Sequence, residues 1–212
     1  MRASIVIFSL IILVHFLVSI YFYPQMPEQI AIHWNIRGEV DGYLAKFWAL
    51  FLMPFLSLGI FLLFLAIPKV DPLKHNIEKF RNYYDGLIVA VLVFLLYLDS
   101  LVISWNMGFR FSMFQALAPA IGVLFYYLGV LTENAKRNWF VGIRTPWTLS
   151  NENVWDKTHK LGGKLFKIIG VLIGILGFFF EQYFVLLILA FVLIDAAFVT
   201  IYSYFEYKKQ LK

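Results

Sequence analysis

The chain has 212 residues, 61% hydrophobic and 19% aromatic, with a mean hydropathy of +0.77. Soluble domains use about 45–50% apolar residues, so an ordinary water-soluble fold is excluded in favour of an integral membrane protein. There is no cysteine, which excludes disulfides, thiolate zinc sites and cysteine nucleophiles, and the formal charge of +5 comes from Lys and Arg beside apolar stretches, where anionic lipid and loop-charge bias explain it without a nucleic-acid partner.

Crossing a hydrocarbon core of about 30 Å takes about 20 apolar residues. Six stretches come near that length: 4–23, 47–67, 86–105, 111–131, 165–180 and 183–204. The first resembles a signal peptide in placing Arg2 before an apolar run, but it lacks a small-residue cleavage site and is long enough to span. The fifth is short, because only 168–180 is free of charge and Lys164 and Lys167 must reach the surface for it to cross. Fifteen of the 18 Lys and Arg fall on the side of the N-terminus, leaving Arg37, Lys46 and Arg110 on the other. Such a bias predicts an all-α membrane protein of six transmembrane helices, a single domain over 1–212 with both termini cytoplasmic.

The first outer loop, 24–46, reads PQMPEQIAIHWNIRGEVDGYLAK. Pro24 and Pro27 stop the helix, and Ile30, Ile32 and Trp34 alternate with Ala31, His33 and Asn35, which predicts an extended extracellular segment with turns at Arg37-Gly38 and Asp41-Gly42. His33, Trp34, Asn35 and Asp41 are the candidate recognition residues, with Glu39 beside them. His33, Glu39 and Asp41 match no metal-site spacing, so no metal and no cofactor is expected, and an ordered cap whose His and Asp satisfy loop backbone is the favoured reading. The connection 68–81 reads as a turn and a short amphipathic helix with His75 in solvent, and Pro54 and Pro119 sit within spans.

Three titratable residues fall inside spans: His15, Asp99 and Asp195. A central Asp costs about 2.5–3.5 kcal/mol on the insertion scale, so each is a functional candidate that needs a partner. Counting along the spans puts His15 and Asp99 at one depth and Asp195 about one turn deeper, which suggests a His15–Asp99 pair serving either a proton or ion pathway or polar adhesion between helices. Tyr97, Ser100, Ser104 and Thr200 are alternative partners. No catalytic signature of nucleophile, metal or nucleotide type is present, and no enzyme activity is expected.

Most of the remaining polar chemistry lies in 141–166, VGIRTPWTLSNENVWDKTHKLGGKLF. Pro146 forces Thr145 toward an extended conformation, so 142–146 reads as a non-helical loop. Ser150 is the predicted N-cap of an amphipathic cytoplasmic helix between helices 4 and 5, with Asn151, Trp155, His159 and Gly162 on one face and Glu152, Asp156, Lys160 and Lys164 on the other. Trp147 and Trp155 suit a membrane interface, and Arg144 with His159 offers a compact polar site for an anion, a carbonyl or a partner protein.

The run Gly142-Ile143-Arg144-Thr145-Pro146-Trp147-Thr148-Leu149-Ser150, with Val154-Trp155 and Thr158-His159-x-x-Gly162, resembles the signature loop of the SdpI family of bacterial membrane proteins. The outer loop, with Met26-Pro27, Ile32-His33-Trp34-Asn35, Gly38, Asp41-Gly42 and Lys46, is similar to the domain of unknown function that precedes the signature in many members. On this resemblance the chain divides into a region over 24–67 of that domain's type and an SdpI-like region over 111–204. The resemblance implies immunity to a secreted toxic peptide met outside, and signalling through a small winged-helix repressor held inside at Arg144, Thr145, Pro146, Trp147, Trp155, Thr158 and His159. A small transporter or channel using His15, Asp99 and Asp195 is the alternative, and a membrane-bound enzyme using Arg144 and His159 is a third.

Overall fold

The structure, a computed structural model, describes residues 3–211. Six helices are long and apolar enough to cross a membrane: α1 (Ala3–Phe22), α2 (Lys46–Val70), α4 (Arg81–Asn106), α5 (Met113–Asn134), α7 (Glu152–Phe179) and α8 (Phe184–Gln210). Two short helices, α3 (Lys74–Lys79) and α6 (Pro146–Ser150), and an antiparallel pair, β1 (Gln29–Trp34) with β2 (Val40–Ala45), fill the connections. Leu, Ile, Val and Phe are exposed along all six long helices, as expected of surfaces solvated by lipid.

The long helices fall into two groups. The first packs α1, α2 and α4 around Phe8, Ile12, Phe61, Leu87, Ile88 and Leu92. The second packs α5, α7 and α8 around Ala118, Ile169, Ile173 and Phe184, and α4 against α5 joins the two. A glycine seam brings α5 and α7 together. A Cβ on Gly122 would stand 2.6 Å from the Gly170 carbonyl oxygen, and one on Gly163 would stand 2.7 Å from that of Gly129. The glycines recur at heptad spacing on both helices and run in opposite directions, so the backbones pack antiparallel in close approach.

The fifth span differs from its expected form. The amphipathic segment at 152–164 is the first part of one continuous helix, α7, and Asn151, not Ser150, is its N-cap, accepting from the Val154 N–H at 3.1 Å. Its apolar face is already covered by the 135–150 loop, so nothing drives it to lie apart on the membrane surface. The 142–146 loop also ends sooner than expected. Pro146 is the first residue of α6, and Thr145 caps that helix through a reciprocal bond with Thr148.

The extended outer segment is a hairpin whose turn includes Gly38 at φ +75. Asp41-Gly42, expected in a turn, lies within β2, where Gly42 faces His33 so closely that a Cβ on it would approach to 2.8 Å from the His33 Cβ. Register shifts around His33 break the simple alternation, and Ile30 and Ala31 are both buried. Asn106, at the end of α4, holds the hairpin down. Its side chain accepts from the Ala31 N–H and donates to the Ala31 carbonyl, both at 2.9 Å, in the manner of a further strand. Trp34 packs edge-on against Trp105, and the Arg110 guanidinium lies 3.7 Å from the Trp105 ring centre.

Candidate functional site

Two polar devices stand out, one inside the first helical group and one at the end of the molecule opposite the hairpin. In the first, His15 Nε2 and Asp99 Oδ2 are 3.3 Å apart, as their shared depth predicts. His15 Nδ1 meets the Ser57 hydroxyl at 3.1 Å, and Ser19 donates to the Leu50 carbonyl at 2.8 Å and approaches Asp99 at 3.4 Å. All four side chains are buried. Asp99 Oδ1 has no hydrogen-bond partner, and the His15–Asp99 approach is short without being aligned as a hydrogen bond.

Ser19 and Ser57 escaped the sequence reading, although Ser19 is one helical turn from His15 and shares its face. The partners expected instead have other bonds: Tyr97 donates to Ala116, Ser100 to Leu96 and Ser104 to Ser100. Asp195 stands apart. Contacts of Gly162 with Val199 and of Gly177 with Phe184 set α8 antiparallel to α7, and Asp195 lies on α8 between Phe184 and Val199, buried and with Oδ1 unpartnered.

The second device is the loop between α5 and α7. Asn138 organises its start: its oxygen accepts from the Phe140 and Val141 N–H groups, and its amide donates to the Lys136 and Val141 carbonyls. Asp71, buried on the α2–α3 connection, accepts from the Trp139 N–H at 3.0 Å, and Asn76 of α3 donates to the Arg137 carbonyl at 2.8 Å. Gly142 then turns the chain at φ +113, and a Cβ there would collide with His159 Nε2.

That collision shows how the loop seats on α7. His159 Nε2 accepts from the Ile143 N–H at 2.9 Å, so the ring proton is on Nδ1, which donates to the Trp155 carbonyl at 2.8 Å. The His159 ring stacks on Trp155 with centres 3.8 Å apart, and Trp155 Nε1 donates to the Ala135 carbonyl at 2.8 Å. Thr148 donates to the Ile143 carbonyl at 2.8 Å, and Thr145 meets Ser203 of α8 at 3.0 Å.

The expected docking face is therefore turned inward. Trp155, Thr158 and His159 are each no more than 1% exposed and Thr145 is buried, because these residues form the core that folds the loop onto α7 and α8. Arg144 does not meet His159. It is exposed and donates to the Trp139 carbonyl at 2.6 Å, so the two make no shared polar site. What a partner can touch at this end is Trp139, Phe140, Arg144, Pro146 and Trp147, the last braced against Tyr204.

On the hairpin, His33 and Asp41 pair at 2.5 Å in solvent, and no cluster of three metal-ligating side chains occurs among the described residues. Asn35 and then Arg37 hold the Glu39 carboxyl below its ordinary range, fixing the hairpin turn. A crevice of about 200 Å³ separates this turn from the other helical group, with Arg37 on one wall and Glu181 and Gln182 of the α7–α8 turn on the other. Glu181 there accepts from the Ser112 hydroxyl.

Known proteins match along both devices. Residues 134–203 match the SdpI/YfhL protein family, and residues 10–58 match a domain of unknown function, DUF1648. The chain is 29% identical over 204 residues to the Immunity protein SdpI of Bacillus subtilis (strain 168), covering 96% of each chain. No solved structure matches it. The first match contains the loop seated on α7 together with its α8 contacts, and the second contains the hairpin with His15, Ser19 and Ser57; the chain is a multi-pass cell-membrane protein similar to SdpI, with a region that matches the SdpI/YfhL family behind one that matches DUF1648.

Proposed function

We propose that this chain gives a bacterium SdpI-like immunity to a secreted toxic peptide, acting without catalysis. The observation that carries the reading is similarity along nearly the whole length to a protein named for immunity, 96% of each chain. In this reading the hairpin end faces outward and meets the peptide across the crevice between Arg37 and Glu181. The loop end faces the cytoplasm, with fifteen of the 18 Lys and Arg on that side. A small repressor would dock there on Trp139, Phe140, Arg144 and Pro146, the exposed part of the loop, with the partly exposed Trp147 at its rim.

The His15–Asp99 cluster is read as a lock between α1, α2 and α4. Its members are all buried and meet one another across the three helices, His15 with Asp99 and Ser57, and Ser19 with Asp99 and the Leu50 carbonyl. Polar contacts of this kind adhere helices in the bilayer without conducting. An ion path would require proton or ion flux in proteoliposomes that Asp99→Asn abolishes.

The test is expression in Bacillus subtilis lacking its own SdpI, grown beside a strain that secretes the cognate toxic peptide. Restored growth is expected. Arg144→Ala with Trp147→Ala is expected to leave resistance intact while reducing capture of a repressor at the membrane. No protection from a chain confirmed in the membrane would overturn the immunity reading, and unchanged capture by the double variant would overturn the docking face.

A further inference from the structure

The lipid-facing side of the α5–α7 seam carries a feature that neither polar device uses. A trough of about 440 Å³ is lined by Tyr126, Lys164, Lys167, Ile168, Val171 and Leu172. It runs on into a second of about 360 Å³ that shares Tyr126 and Val171 and reaches Val123 and Ile175. Ile168, Val171 and Ile175 are about half exposed and Val123 is 68% exposed, so both troughs open toward lipid.

The two ends differ in chemistry. Lys164 and Lys167 stand one turn apart at the loop end. Lys167 is held by Glu133 at 2.7 Å, whereas Lys164 is exposed and forms no ion pair among the described residues, leaving a net positive mouth. Beyond Tyr126 the walls are aliphatic and the floor is glycine backbone. From Lys164 to Ile175 the helix rises about 16 Å at ~1.5 Å per residue. That is about half of a ~30 Å hydrocarbon core, the depth of one leaflet.

We propose that this trough binds one anionic phospholipid, its phosphate at Lys164 and one acyl chain laid along the seam toward Ile175. Charge complementarity favours an anionic amphiphile over a zwitterionic one, since an exposed ammonium at the mouth attracts anionic headgroups. A second copy of the chain is the poorer occupant, because a two-fold contact on this face would set Lys164 near its own counterpart. The site is independent of the immunity reading.

The experiment is native mass spectrometry of the full chain in neutral detergent, titrated separately with phosphatidylglycerol, phosphatidylcholine and inorganic phosphate. One retained phosphatidylglycerol is expected, with phosphatidylcholine lost. Lys164→Gln, a change at an exposed position, should weaken retention about fivefold, the effect of one cation near an anionic headgroup. Val171→Trp should also weaken it by filling the trough with the charge intact. Equal retention of both lipids, or no effect of Lys164→Gln, overturns the proposal. Displacement by inorganic phosphate with Val171→Trp silent makes it a simple anion site and also overturns it. Dimer masses that Val171→Trp abolishes make it a self-association face, with the same result.

Discussion

At the scale of single residues, His159 shows how a side chain that reads as a binding group serves to fold a loop. Both ring nitrogens are used internally, and the Ile143 N–H has His159 as its acceptor in a part-buried setting. Removing the ring leaves that N–H unsatisfied, a loss of about 1–3 kcal/mol. His159→Ala is therefore expected to lower the melting temperature in detergent, and Gly142→Ala to do likewise, by straining a φ of +113 and pressing a methyl group into the ring. Trp147→Ala, at the partly exposed rim, should shift it less. Thermal unfolding followed by circular dichroism decides the order, and a Trp147→Ala defect exceeding that of His159→Ala would contradict it.

Elements join through equally local devices. The hairpin is anchored on α4 chiefly by one amide, Asn106, which satisfies both backbone groups of Ala31, and by the burial of Met26, Ile30 and Leu50 with Ile103. Asn106→Leu keeps the size of the side chain but removes both bonds. It should loosen the hairpin without unfolding the helices, seen as faster protease cleavage within 29–45 at unchanged helical content. The α5–α7 seam works differently, by omitting side chains. The sequence reading passed over these glycines, since their partners on the other helix become visible only once the antiparallel register is set.

For the whole molecule, the absence of cysteine makes orientation directly measurable. Arg37→Cys on the hairpin should react with a membrane-impermeant maleimide in intact cells, and Asn153→Cys, exposed at the start of α7, only after permeabilisation. The opposite pattern would reverse the proposed faces for toxin and repressor.

The sequence by itself determined the six spans, because hydrophobic length is a local property that needs no neighbour, and it put His15 and Asp99 at one depth, because depth can be counted along a helix; the structure decided that they meet. It also located the two polar segments. Only the tertiary structure decided which way their side chains point. Trp155 and His159 share an amphipathic face in any helix, but whether lipid, a partner or the chain's own loop covers that face depends on contacts from 135–145, supplied from outside the helix. The burial of these residues follows from that cover, as does the continuity of α7 through a stretch that charge alone would have set apart.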